Sequence, residues 1–124
     1  MLGVSGGFLS KILAMLFLTL CPQREMLAAN LAYTPTAPGQ VCSVRVEAED
    51  PVSGEVLGQQ DVSLTPQPQQ VLLGLQQKVT CGLLRVVVTR LEGCTDPRGL
   101  RGISLEVMDA LNGAVLRTMS LQAE

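Results

Sequence analysis

Carboxylates gather in one stretch of the chain and are the first candidates for chemistry. The stretch contains Glu47, Glu49, Asp50, Glu55 and Asp61. Calcium prefers oxygen ligands, so Glu49, Asp50 and Glu55 are candidate metal ligands. The D-x-[DN]-x-[DN]-G loop is missing, however, and a solvated strand face with a capped turn explains the same residues. Two convergent carboxylates could also hydrolyse a glycoside, which is the weakest of the alternatives.

The residues that the chain lacks exclude more chemistry than these carboxylates offer. Its 124 residues include no His and no Trp, and aromatic residues make up 2%. Without His, the usual general base near neutral pH and the Ser-His-Asp arrangement are missing. The chain has too few aromatic residues to stack on sugars or on single-stranded nucleic acid. Its net charge of −2 provides no basic surface to attract nucleic acid. We therefore predict no enzyme, no cofactor and no nucleic-acid partner.

Positive charge collects later in the chain. Few acids separate the four arginines concerned, which are Arg85, Arg90, Arg98 and Arg101. One interpretation is a patch that binds a partner protein. The other is pairing with the acidic face across neighbouring strands, where each exposed pair contributes little to stability.

The cysteines predict a disulfide rather than a metal or redox site, because no C-x-x-C spacing and no His is present. A strand from Leu83 to Leu91 would be about 26 Å long. A bond between Cys81 and Cys94 would break that strand, because bridged Cα atoms lie within about 7 Å. One bridge must then use Cys42, and antiparallel strands favour Cys94 as its partner. Cys81 is left as a buried thiol or an intermolecular bridge.

Short strands are the elements that must position these residues. Apolar and polar residues alternate from Cys42 to Ala48, and Leu83 to Leu91 is rich in β-branched and apolar residues. Turn signals separate about six such segments between residue 41 and residue 124. The pattern predicts an all-β fold, a small antiparallel β-sandwich or Greek-key domain over residues 41–124. Residues 30–40, which contain Pro and Gly, are expected to form an extended entry segment.

One stretch of the sequence occurs twice. Asp50 is followed four positions later by Gly54, and Asp109 by Gly113, with Val-Leu two residues beyond each Gly. The Asp side chain can accept bonds from turn amides, and Gly can adopt a positive φ, so both stretches predict β-hairpins. The hairpins are either halves of a duplicated domain or two similar turns produced by turn chemistry alone.

The N-terminal segment has the parts of a secretory signal peptide. Lys11 precedes the apolar run from Ile12 to Leu20, and three small residues follow: Ala28, Ala29 and Ala32. The run is too short to span a bilayer alone. We expect residues 1–29 to form a signal helix that is cleaved after Ala29, which would remove Cys21 and leave no membrane span. The alternative is an uncleaved signal anchor.

The order of D-x-x-[ST]-G-x-V-L, V-S-L-x-P and a closing L-E-V-x-D-x-x-x-G resembles small exported bacterial domains of uncharacterised function. The similarity covers residues 40–116 and implies an immunoglobulin-like β-sandwich, with no catalytic residue attached. The chain departs from the pattern in carrying Pro-Gln-Pro-Gln-Gln after the second strand, where such domains often carry Pro-Gly.

These observations favour a periplasmic or secreted module that binds another envelope or extracellular protein. A sheet edge or the loop from Gly93 to Gly102 would provide the contact. The alternative function is a small-ligand or Ca²⁺-binding periplasmic protein.

Overall fold

The computed structural model describes residues 12–75 and 81–121, and strands dominate them. The eight strands of this part are β1 Ile12–Leu20, β2 Glu25–Tyr33, β3 Cys42–Glu49, β4 Val56–Leu64, β5 Gln69–Leu73, β6 Gly82–Arg90, β7 Leu100–Asp109 and β8 Val115–Leu121. One turn of 3₁₀ helix, Pro97–Gly99, leads into β7. The all-β class is confirmed.

The strands form two antiparallel sheets of four strands each, in a sandwich-like arrangement. The first sheet has the order β1-β6-β3-β4, and the second has the order β5-β2-β7-β8. The hairpins β3–β4 and β7–β8 join neighbours within a sheet, whereas the chain crosses between sheets at its other described connections. The predicted number of about six strands is wrong, because β1 and β2 precede the six that alternation and turn signals indicated.

The core follows from the alternation of side chains along the strands. Residues that point inward from both sheets form one buried cluster, and several of its members are fully buried: Ala29, Val44, Val46, Val86, Val88, Leu105 and Val107. Burying a valine or leucine side chain typically contributes about 1.5–3 kcal/mol relative to exposure. The stability of both sheets therefore depends on the apolar side chains that alternate along their strands and point inward.

The N-terminal segment belongs to this core, and the predicted signal helix is wrong over residues 12–29. Ile12–Leu20 is strand β1, paired with β6, and its Leu18 and Leu20 are buried. Ala28 and Ala29, which the sequence indicated as a cleavage region, are fully buried in β2. Lys11 lies outside the described residues. An unbroken apolar run is compatible with a signal, a buried helix or a strand, and periodicity alone does not distinguish them.

The entry segment is also shorter than predicted. Asn30–Tyr33 continues β2, and the connection to β3 starts only at Thr34. Tyr33, which the sequence placed in an extended segment, is almost fully buried. No helix of the described residues is long and apolar enough to cross a membrane.

The two sheets share one plan. Strands β1, β3 and β4 of the first sheet correspond in position to β5, β7 and β8 of the second sheet, each four strands later in the chain. Strand β6 of the first sheet corresponds to β2 of the second. The register repeats as well. Val44 lies opposite Arg90, and Ile103 lies opposite Leu31; Ile103 comes 59 positions after Val44, and Arg90 comes 59 positions after Leu31. Each half of the chain therefore lends its second strand to the sheet of the other half. This pseudo-twofold arrangement favours duplication, because turn chemistry does not set the register of strands outside the hairpins.

The two hairpin turns share the same backbone conformation and the same main side-chain bond. Gly54 and Gly113 have φ values of +79° and +75°, in the left-handed region that favours glycine. The Oδ1 atom of Asp50 accepts from the amide of Val52, and that of Asp109 accepts from the amide of Leu111. A bulge follows each turn at the same place, opposite Glu49 in one hairpin and Met108 in the other. The predicted Asp-to-Gly hairpins are both present.

Candidate functional site

Two of the three candidate calcium ligands are engaged in other contacts. Glu49 forms an ion pair with Arg85, which lies directly opposite it in β6. Asp50 accepts turn hydrogen bonds from Val52 and Ser53 at 2.8 and 3.3 Å. Glu55 is exposed. Among residues 12–75 and 81–121, no group of three or more Cys, Asp or Glu side chains is placed to hold a metal ion.

A small cleft lies beside the first hairpin turn. Its volume is about 240 Å³, and it is lined by residues of β1, the β1–β2 connection, the first hairpin and β6, including Leu20, Pro22, Asp50, Leu57 and Leu84. Typical ligand pockets span roughly 300–1,000 Å³, so this cleft is below that range.

The four arginines of the predicted partner patch contact different parts of the molecule. Arg85 pairs with Glu49 on the outer face of the first sheet. Arg90 donates two hydrogen bonds to the carbonyl of Cys94, at 3.2 and 3.0 Å. Arg98 pairs with Asp96, and Arg101 is exposed on β7 in the second sheet. The patch is therefore divided between the two sheets, and cross-strand pairing accounts for Arg85.

The cysteines form two disulfides, so the predicted leftover role of Cys81 is wrong. Cys42 is bonded to Cys94, the pair that antiparallel strands favoured. Cys81 is bonded to Cys21, which the predicted cleavage after Ala29 would remove from the mature chain. The first bridge is buried, whereas Cys81 is exposed. Cys21 and Cys81 lie in the β1–β2 and β5–β6 connections, which are equivalent under the pseudo-twofold arrangement.

Asp96 is a buried acid that the sequence did not single out. Its side chain is 3% exposed and accepts hydrogen bonds from Thr36 and from the amide and guanidinium of Arg98. Its backbone carbonyl accepts a bond of 3.1 Å from the hydroxyl of buried Tyr33. Gly99 packs so closely that a Cβ there would lie 2.6 Å from the Tyr33 ring. An Asp-Pro pair that opens a turn was the available signal.

The contacts of Asp96 join two loops. The hydrogen bond from Thr36 lowers the pKa of the carboxyl, burial opposes this, and Arg98 adds to the lowering. Burial raises the pKa of the Tyr33 hydroxyl, and the nearby Asp96 charge adds to it. Ionised Asp96 therefore holds the β2–β3 and β6–β7 connections together, beside the Cys42–Cys94 bridge.

The most unusual surface is an apolar strip on the outer face of the first sheet. Met15, Phe17 and Leu83 are 44%, 48% and 52% exposed, and we call these three residues the β1 strip. Phe17 lies opposite Arg85, and Leu83 lies opposite Thr19, two positions further along the ladder, so the side chains of Phe17 and Leu83 share one face. β1 is an edge strand, so nothing in the described residues pairs with its outer side.

Ion pairs border the β1 strip on strands β6, β3 and β4 of the same face. Beyond Arg85 and Glu49, Arg45 and Asp61 form a two-point pair at 2.7 and 3.1 Å. That hydrogen bond lowers the pKa of Asp61 and raises the pKa of Arg45. The face therefore changes from apolar at β1 to ionic on β3 and β4. The sequence does not reveal the strip, because the apolar run over residues 12–20 also has the composition of a signal peptide.

No protein-family model, no curated protein and no solved structure matches the chain. The resemblance to small exported bacterial domains, with its immunoglobulin-like connectivity, therefore stays a prediction.

Proposed function

We propose that this chain is an exported interaction module that binds another envelope or extracellular protein through the β1 strip. The observation that carries the proposal is the exposure of Met15, Phe17 and Leu83 side by side on one sheet face. Exposed apolar groups that adjoin one another and have a polar border are typical of interaction sites, whereas single exposed apolar residues are normal.

The composition of the surface around the strip supports this proposal. Interfaces commonly have an apolar, aromatic and Met-containing centre and a polar rim. Phe17 and Met15 provide such a centre, and the pairs Arg85–Glu49 and Arg45–Asp61 provide the rim. In the described residues, Glu49 and Asp61 are paired with arginines, and Asp50 accepts bonds from turn amides, so these acids serve the fold. We therefore propose a binding role without catalysis.

The two disulfides are compatible with an oxidising extracellular or periplasmic location. We propose that the chain acts there, and that the working form retains β1 and β2. Processing after Ala29 would remove Cys21 and all of β1, together with buried Leu18, Leu20 and Leu27 of the core. The intact mass of the exported protein tests this part of the proposal, and loss of 29 residues would contradict it.

Capture from an envelope fraction tests the binding role. We expect immobilised full-length protein to retain a partner, and Phe17→Ser to reduce the retained amount because it removes the aromatic centre of the strip. Leu72→Ser is the matched control, since Leu72 is 55% exposed on the second sheet. Equal retention by the wild type and Phe17→Ser would contradict the proposal, as would retention of nothing, a second copy of this chain included.

A small-ligand role remains a second candidate because of the cleft between β1 and the first hairpin. Its lining includes the carboxyl-bearing Asp50 and the apolar Leu20, Leu57 and Leu84. A Ca²⁺ titration of thermal stability tests the metal version of this alternative. An unchanged unfolding midpoint would count against it.

A further inference from the structure

Of the four edge strands, β1 carries the fewest features that prevent another strand from pairing with it. Its nine residues include no charge, no Pro and no Gly. The other edges are protected: β4 contains Asp61 and a bulge, β5 has five residues and follows Pro66 and Pro68, and β8 contains Arg117 and a bulge. Charges, bulges, prolines and short length are the features that keep sheet edges from pairing. β1 has only a register shift at its start, between Ile12 and Ala14.

One hydrogen bond shows which residues of β1 direct their backbone outward. The carbonyl of Thr19 accepts from the Arg117 guanidinium at 2.7 Å, so this carbonyl points away from β6. Backbone groups alternate sides along a strand, and the register is unbroken from Ala14 to Leu20. Phe17 and Met15 therefore also direct their N–H and C=O groups to the free edge.

The sequence of β1 is complementary to itself in the antiparallel direction. The midpoint of Ile12–Leu20 is Leu16, so full overlap of two β1 strands places Met15 opposite Phe17 of a second copy, and Phe17 opposite its Met15. These are the residues with outward backbone groups, so the two pairs would form about four backbone hydrogen bonds. Methionine sulfur and an aromatic ring also attract each other in such a contact.

Charge adds no obstacle to this pairing. No ionised side chain lies on β1, so two copies bring no like charges together along the strands. Leu83, on the neighbouring strand β6, would extend the apolar contact on the same face. The bond from Arg117 to Thr19 can persist if pairing is confined to Met15 and Phe17.

We propose that the occupant of the β1 strip is a second copy of this chain, paired antiparallel through β1 about Leu16 to join two four-stranded sheets into one. This inference rests on the proposed function, because the dimer uses the same strip and names its partner. The contact is small compared with the roughly 1,200–2,000 Å² of stable complexes, so the association is reversible and depends on concentration.

Sedimentation velocity of the oxidised full-length protein over a concentration series tests the proposal. The wild type is expected to shift from monomer to dimer as concentration rises. Met15→Pro is expected to stay monomeric, because it removes an outward N–H without removing a bond to β6. Leu72→Lys, on the second sheet, is expected to associate as the wild type does.

A charge-pair series tests the register and does not depend on the proline variant. Met15→Glu and Phe17→Lys alone are each expected to weaken association at least about tenfold, because each places an unpaired charge against an apolar side chain. The double variant is expected to recover association, since pairing about Leu16 sets each new carboxylate against a new ammonium. Failure of the double variant to recover would overturn this register.

The outcomes separate this inference from the proposed function. A wild type that stays monomeric at all concentrations overturns the second copy as occupant. If the same monomer binds an envelope protein in a way that depends on Phe17, the proposed function stands without the dimer. If it binds nothing, both fail. A dimer that Met15→Pro leaves intact would show that association uses another surface, which also overturns the inference.

Discussion

The hairpins β3–β4 and β7–β8 have the same turn, the same bulge and equivalent places in their sheets, yet they differ in burial. Leu57 is 3% exposed, whereas Leu116, 59 positions later at the equivalent place, is 48% exposed. The turn bonds of Asp50 and Asp109 are alike, so the turns do not cause the difference. The cause lies in what covers each returning strand.

The neighbouring connections differ. Gly74 and Leu75, which follow β5, pack against β4 at Gly58, where a Cβ would lie 2.5 Å from the Gly74 carbonyl. The equivalent connection after β1 is the shorter turn at residues 21–24, and β8 has Arg117 in place of Gly58. Arg117 reaches across to the Thr19 carbonyl and lies 3.8 Å from the Glu25 carboxylate. One seam between the sheets is therefore closed by backbone packing, and the other is bridged by a long polar side chain.

A repeated turn therefore sets the path of the chain but not the burial of its strands. The first half gains a covered β4, while the second half leaves β8 open next to edge strand β1. An open seam at this side of the sandwich leaves both edges accessible to another chain.

The largest expected difference between the halves concerns these two leucines. Leu57→Ala is expected to lower the free energy of unfolding by about 2–5 kcal/mol, because it leaves a cavity in a packed site. Leu116→Ala is expected to change it by less than about 1 kcal/mol, because the side chain is half exposed. Denaturant unfolding of the oxidised proteins measures both. Equal losses would contradict the burial difference.

Gly58 and Arg117, one position further along β4 and β8, should also differ. Gly58→Ala is expected to cost about 1–3 kcal/mol, because the added methyl meets the Gly74 backbone. Arg117→Ala is expected to cost at most about 1 kcal/mol, since the Arg117 side chain is half exposed and its ion pair with Glu25 is long, at 3.8 Å. The same unfolding experiment compares them, and a larger loss for Arg117→Ala would reverse our account of the two seams.

The turns themselves should behave alike. Gly54→Ala and Gly113→Ala are each expected to lose about 1–2 kcal/mol, because both residues have a positive φ that alanine resists, and no other atoms crowd either position. Matching losses would support the equivalence of the hairpins. A difference of more than about 0.5 kcal/mol would break it.

The loops before β3 and β7 differ at Asp96, whose equivalent 59 positions earlier is Ala37. The folded pKa of Asp96 is lowered below the unfolded value of about 3.9, so its stabilisation is present above that pH and is lost as pH falls through the folded pKa. Asp96→Asn is expected to lower the Tm most near neutral pH, with the two melting curves converging below about pH 4. A difference that is constant from pH 7 to pH 2 would contradict this role.

The sequence predicted the later part of the fold because its signals were local. Alternation in β3, the β-branched run of β6 and the two Asp-to-Gly turns each report on one short segment. The bridge between Cys42 and Cys94 followed from strand direction. The exposure of Leu116 could not be predicted, since it depends on a connection distant in the chain.

The sequence failed for β1 and β2 for a physical reason. An apolar run after a lysine has the composition of a signal core, and small residues such as Ala28 and Ala29 look the same at a cleavage site and between packed strands. The candidate surface was lost with that interpretation, because Met15 and Phe17 lie inside the run. Cys21 is the residue of the sequence that indicates otherwise, because retaining it gives Cys81 a disulfide partner.

Mapping the disulfides of the exported, unreduced protein tests the central claim that residues 12–33 belong to the folded module. Trypsin cuts between all four cysteines, after residues such as Arg24, Arg45, Lys78 and Arg90. Mass spectrometry is expected to find Cys21 linked to Cys81 and Cys42 linked to Cys94. A mature chain without Cys21, or with Cys81 as a free thiol, would contradict the account.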